Sequence, residues 1–256
     1  MRDPHIEKLY FEVGSGKGIS YKDPEPIAFS NQLGAFELRD GNLRIAPTEH
    51  FANEDDARQA IEPFLRAWEI EADLNSNVGM IRFKFERAEL VDRDPPPLGT
   101  SRVIQAKAGE SVILGESVSL HLTCSKYPQP PMAFRTTPEV EIGYRRWIGH
   151  RGGKEPLQSM AYFVLTLLQC TAGNRDQAAR IFEIEPAVLN TIGKLSSTKG
   201  DSSTARKVEA GNALQELSGS EKQWLEQAIR RVIHRLGEHA SGAPLTRIRM
   251  SDLPKL

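Results

Sequence analysis

Cysteine is nearly absent from this 256-residue chain, which has only two, Cys124 and Cys170, far apart in sequence. That excludes a disulfide framework and suits free thiols in a reducing compartment. Long apolar runs are missing too. The longest, Met160 to Leu168, is broken by Thr166 and flanked by Gln158, Ser159 and Gln169, too short to span a bilayer. The first residues, Met1-Arg2-Asp3-Pro4-His5-Ile6, carry no apolar core of signal-peptide length, so a cytoplasmic location is expected. A net charge of −1 puts no strong field over the whole molecule, which leaves only local patches for nucleic acid or membrane surfaces.

Recognisable catalytic motifs are lacking as well. In Gly14-Ser15-Gly16-Lys17-Gly18 one residue separates the first glycine from the Gly-Lys pair, where a phosphate loop needs four, and Gly18 replaces the Ser or Thr that would reach magnesium. It reads as a glycine-rich turn. No Gly-x-Ser-x-Gly elbow occurs, and neither cysteine sits in a nucleophile context. The histidines, at 5, 50, 121, 150, 234 and 239, are scattered. His121 and Cys124 are three apart on an expected strand, so they face opposite sides and make no zinc half-site. Glu69, Glu71 and Asp73 cluster at the end of a helical run, where neighbours two apart diverge, and they read as a solvated acidic face. No metal, cofactor or catalytic residue is expected.

What the chain does have is a change of character near residue 136. Residues 1–140 carry 16 basic and 22 acidic side chains, and 141–256 carry 17 and 12. The patterning predicts an α+β protein: a sheet-rich domain over 1–135 with one long helix, a helical bundle over 136–240, and a tail over 241–256. In the first part Leu9, Phe11 and Val13 alternate as a half-buried strand requires, as do Ile81, Phe83 and Phe85, and Val118, Leu120, Leu122 and Cys124. Asp40-Gly41-Asn42 tolerates positive φ and predicts a hairpin between 36–39 and 43–45. Ala57, Ile61, Phe64, Leu65 and Trp68 recur at helical spacing behind an Asn53 cap, with Pro63 expected to kink or restart the helix. Pro95-Pro96-Pro97 and Tyr127-Pro128-Gln129-Pro130-Pro131 read as stiff connectors, the second a hinge.

In the second part, Thr137-Pro138 caps a helix bearing Val140, Tyr144, Trp147 and Ile148. Pro156 to Ala172 is apolar nearly all round, as a central bundle helix would be. Ser218-Gly219-Ser220-Glu221 is a capping box opening a helix striped with Leu225, Ile229, Val232 and Leu236, expected to stop at Gly237. In the tail, Ile248, Met250 and Leu253 are apolar enough to dock.

Two segments suggest nucleic acid. Over 175–194, Ala178, Ala179, Phe182, Ile184, Leu189 and Ile192 match the apolar skeleton of a DNA-binding helix-turn-helix. Glu183 occupies its corner, where glycine is usual. The second helix would expose Glu185, Asn190, Thr191 and Lys194, a thin set for contacting phosphates, and an ordinary helical corner within a bundle explains the same apolar spacing. Arg145, Arg146, Arg151 and Lys154 interleave with Tyr144 and Trp147, as nucleic-acid-contacting surfaces do. Arg230, Arg231, His234 and Arg235 form a further basic stretch on the last helix, with a solvated surface as the simpler reading.

The helix Leu157-Gln158-Ser159-Met160-Ala161-Tyr162-Phe163, the later Thr204-Ala205-Arg206-Lys207-Val208 and the capped helix from Ser218 together resemble HEPN-type helical domains of bacterial proteins, over roughly 155–240. Ribonuclease members of that family carry an arginine and a polar residue with a histidine a few positions on. Here Glu209, Ala210 and Gly211 follow Arg206-Lys207, and Arg230 and His234 lie in a different helix. The resemblance therefore implies a form without the ribonuclease site, whose helical domain serves binding or self-association, as an accessory of a bacterial response or defence system. The sequence-level expectation is a non-catalytic binding or scaffolding protein with a protein partner. Nucleic-acid binding by the basic half is the alternative, and an enzyme with an interdomain pocket is a third.

Overall fold

The computed structural model describes residues 3–94, 122–199 and 216–256. Expectations resting on Val118, Leu120, His121, the 95–97 prolines and 204–211 lie outside them. The chain forms two compact units, Met1–Pro131 and Met132–Leu256, and its fold is α+β.

In the first unit five strands, β1 (Pro4–Gly14), β3 (Ile27–Asn31), β4 (Gly34–Arg39), β5 (Asn42–Pro47) and β6 (Arg82–Asp92), make one antiparallel sheet in the order β3-β4-β5-β1-β6. Asp40 (φ 50°) and Gly41 (φ 73°) form the two-residue turn joining β4 to β5, with Arg39 opposite Asn42. A short parallel pair, β2 (Ile19–Glu25) with β7 (Leu122–Lys126), stands apart from that sheet. Helix α1 (Glu54–Asn75) packs on the sheet through Ala57, Ile61, Leu65 and Trp68, all buried against Leu9, Phe11, Leu43 and Ile45. It runs on through Pro63 as one helix, without the restart that was the second alternative there. Burial of the residues on either side outweighs one lost backbone hydrogen bond.

One expectation is corrected here. Glu69 and Asp73 are buried, not solvated: Asp73 Oδ1 accepts from the Gly79 and Met80 amides at 2.9 and 3.0 Å, and Arg82 reaches its Oδ2 at 2.6 Å. Glu69 accepts from the Phe83 amide at 2.9 Å and from Arg66 at 2.8 Å. These carboxylates fasten α1 to the start of β6. The boundary between the two units falls at the end of the expected hinge, whose first residues pack on the first unit. Tyr127 is buried and its hydroxyl accepts from the Gly41 amide at 2.9 Å, while Trp68 Nε1 donates to the Pro128 carbonyl at 3.0 Å. At the other end of the sheet, Arg93 Nη2 lies 2.5 Å from His5 Nε2, and His5 Nδ1 lies 3.1 Å from His50 Nδ1. A guanidinium only donates, so His5 Nε2 accepts and its Nδ1 carries the hydrogen toward His50.

The second unit consists of α2 (Pro138–Arg151), α3 (Leu157–Ala172), α4 (Arg175–Ile181), α5 (Pro186–Ser197) and α6 (Gly219–Ser241), closed by a 3₁₀ turn at Met250–Asp252. Met160, Val164, Leu165 and Leu168 of α3 are buried. Both halves of the capping box at Ser218 and Glu221 are made, and Leu225, Ile229, Val232 and Leu236 are buried on one stripe. The helix does not stop at Gly237. It continues to Ser241 and ends on Gly242 (φ 75°). Gly237 is instead a packing site: a Cβ there would stand 2.1 Å from the Phe134 ring. No helix among the described residues is long and apolar enough to cross a membrane.

Candidate nucleic-acid interface

Residues 174–197 form a helix, a tight corner and a second helix. Asn174 caps α4 by accepting from the Gln177 amide at 2.9 Å. The helix ends in a Schellman arrangement, with the Ile184 amide bonded to the Ala179 carbonyl (2.9 Å) and the Glu183 amide to that of Arg180 (3.4 Å). That geometry needs a left-handed residue, and Glu183 supplies it at φ 48° without being glycine. Ala178, Ala179, Phe182, Ile184, Leu189 and Ile192 are all buried, with Val188 added to them. Pro186 opens α5 at its first turn.

Three outside supports hold the corner. Arg235 of α6 is 3% exposed, and its Nη1 donates to the carbonyls of Phe182 (2.8 Å) and Glu183 (3.3 Å). Its Nη2 reaches the Thr246 carbonyl and its Nε the Glu238 carboxylate at 2.7 Å. Burial would push the Glu238 carboxyl up, but His234 and Arg235 beside it hold it below the ordinary range. Arg235 is therefore no part of a basic surface, which corrects the reading of 230–235 as one stretch. The C-terminal segment adds the other two supports: Ile248 pairs in parallel with Ile184, donating to the Glu183 carbonyl and accepting from the Glu185 amide, both at 2.9 Å.

The exposed face of α5 carries Ala187, Asn190 and Lys194, with Thr191 half-buried among them. Asn190 Oδ1 accepts from Arg175 Nη1 at 3.2 Å, and the Arg175 guanidinium lies over Gly193, where a Cβ would come within 2.9 Å of it. The structure thus places Asn190 and Lys194 about one turn apart on the exposed face of α5.

The other basic cluster sits elsewhere, on α2 and the turn after it. Arg145, Arg151 and Lys154 are exposed. Arg146 is engaged internally, 2.5 Å from Glu155 and stacked 4.4 Å from the Phe163 ring centroid. Burial pushes the Glu155 carboxyl up despite Arg146 and His150 beside it. Trp147 is buried, with Arg151 5.8 Å over its ring. Arg230 has its pKa lowered by burial and then by the like charges of Arg151 and Arg231 near it.

A pocket of about 270 Å³ lies beside this cluster, lined by His150, Gln158, Lys222 and Glu226 among others. Its histidine is occupied on both sides, Nε2 3.0 Å from Glu226 and Nδ1 3.1 Å from the Glu155 carbonyl, so neither nitrogen is open toward a substrate. Among the described residues no group of three or more His, Cys, Asp or Glu could hold a metal ion. Cys124 and Cys170 are free thiols. Sequence reasoning missed the corner's own cations, Arg180, Arg247 and Arg249. Arg247 and Arg249 are sixty residues from it in sequence and come near only through the Ile184–Ile248 pairing. No family model, curated protein or solved structure matches the chain.

Proposed function

We propose that the protein binds duplex DNA through its second unit, with α4 and α5 as a helix-turn-helix and α5 as the helix that enters the major groove. One observation carries the reading: the left-handed Glu183 between two helices packed through buried Ala178, Ala179, Val188, Leu189 and Ile192, while Asn190 and Lys194 stay exposed. In a helix-turn-helix the corner sets the angle at which the second helix leaves the body and enters the groove. A non-glycine residue in that conformation costs about 1–2 kcal/mol. Here Arg235 and the Ile248 backbone stabilise it.

DNA is favoured over duplex RNA because the B-form major groove admits a helix and the deep, narrow A-form groove does not. Asn190, with its Oδ1 turned from Arg175 to the base, suits bidentate readout of adenine, and Lys194 suits a phosphate or guanine. The role is that of a binding protein, in keeping with the HEPN-type resemblance without a ribonuclease pairing.

The test is fluorescence anisotropy with a mixed-sequence DNA duplex across a salt series. Affinity falls linearly on a log–log plot as salt rises, and Lys194→Ala lowers the magnitude of that slope by about 0.9, one phosphate contact. Absence of binding at low salt would overturn the reading.

A further inference from the structure

Resting on the DNA reading, we infer that residues 246–249 are an arm that grips the DNA backbone beside the reading helix, with Arg247 and Arg249 as its phosphate contacts. The arm is fixed in place. Ile248 is 2% exposed and bonded through both its amide and its carbonyl to the residues on either side of Ile184, and the Thr246 carbonyl is held by Arg235. In an extended segment, residues two apart lie on the same side. With Ile248 turned inward, Arg247 and Arg249 both project away from the core, and both are exposed.

The position is the relevant one. Ile184 precedes α5 by a single residue before its first-turn proline, so the arm lies at the N-terminal end of α5. That is the end whose residues meet base edges when a reading helix enters the groove, and phosphates border it on both sides.

The charges also fit. Neither guanidinium has an ion-pair partner among the described residues. Two nearby acids are committed to backbone: Glu185 accepts from the Met250 amide and Asp252 from the Arg249 amide, both at 2.8 Å. Asp176 lies in the first turn of α4, where the helix dipole holds it, and shares a hollow with Arg180, Glu183, Pro186 and Arg247. These carboxylates and exposed Glu183 keep their charges beside Arg180, Arg247 and Arg249, so the two arm guanidinia act by short-range hydrogen-bonded contact to phosphate and not through a net positive field.

The experiment compares the intact protein with the double variants R247A/R249A and R247K/R249K, binding a fluorescent mixed-sequence DNA duplex over a salt series. The alanine pair lowers the magnitude of the log–log slope by about 1.8, or 0.9 for each phosphate released, and the lysine pair restores it. Unchanged helical circular dichroism shows that the fold survives. If the alanine pair binds with the affinity and slope of the intact protein, the arm is overturned and the DNA reading stands. If the intact protein binds no duplex, or binds an acidic polypeptide such as polyglutamate instead, both are overturned.

Discussion

Arg235 donates from Nη1 to the carbonyl oxygen of Phe182 across 2.8 Å, and both residues are buried. The same guanidinium satisfies Glu183 and Thr246, so a single side chain of α6 ties the corner and the C-terminal arm together. A planar fork with several donors can do this, and an ammonium cannot.

Arg235→Ala is expected to cost about 3 kcal/mol, because it orphans the buried Phe182 carbonyl and removes one of the two cationic partners of Glu238. Arg235→Lys recovers less than half of the loss. Denaturation followed by helical circular dichroism measures both, and a loss below about 1 kcal/mol, the size of an ordinary surface change, would contradict the role.

Glu183→Gly relieves the left-handed backbone, and the gain exceeds the added chain entropy of glycine by about 0.5–1 kcal/mol. Glu183→Val moves the other way, since a branched Cβ is worst in that conformation. Thermal unfolding of the three proteins should rank them Gly, Glu, Val. The glycine variant should also bind DNA more tightly, having lost the exposed carboxylate beside Arg247.

Gly237→Ala places a Cβ against the rigid, buried Phe134 ring and is expected to cost about 3 kcal/mol. Phe134→Leu in the same chain makes room and recovers part of it. Double-mutant thermodynamics test this, and additive losses would rule out the contact.

In the first unit, His5 is buried between Arg93 and His50, and burial followed by the Arg93 charge lowers its pKa below 6.5. The folded state therefore disfavours the proton that the unfolded chain takes up. Stability is full above about pH 6.5, falls as pH drops below it, and levels off under the folded pKa. His5→Gln should remove that step from a stability–pH profile recorded on the first unit's transition, and an unchanged step would assign it elsewhere.

Much of the architecture was readable from local patterns. The Asp40-Gly41 turn, the Asn53, Thr137 and Ser218 caps, and the α6 stripe depend on residues within a few positions of one another. What escaped depends on long-range meetings. Glu69 and Asp73 looked like surface acids because nothing local reveals that the 79–83 backbone returns to them. Gly237 looked like a helix end because its reason is the Phe134 ring. Arg235 looked like its basic neighbours, yet three carbonyls from two distant segments draw it inward. At the candidate interface, the apolar skeleton and the exposed Asn190 and Lys194 were legible. The arm was not, since Arg247 and Arg249 reach the corner through one backbone pairing.

The most direct measurement is site-specific photocrosslinking to a DNA duplex, with a benzophenone side chain placed at exposed Ala187 on α5 or, separately, at exposed Arg145 on α2. A strong, salt-sensitive crosslink from 187 and a weak one from 145 is the expected result. Crosslinking from 145 alone, or from neither position, would contradict a reading helix at the corner.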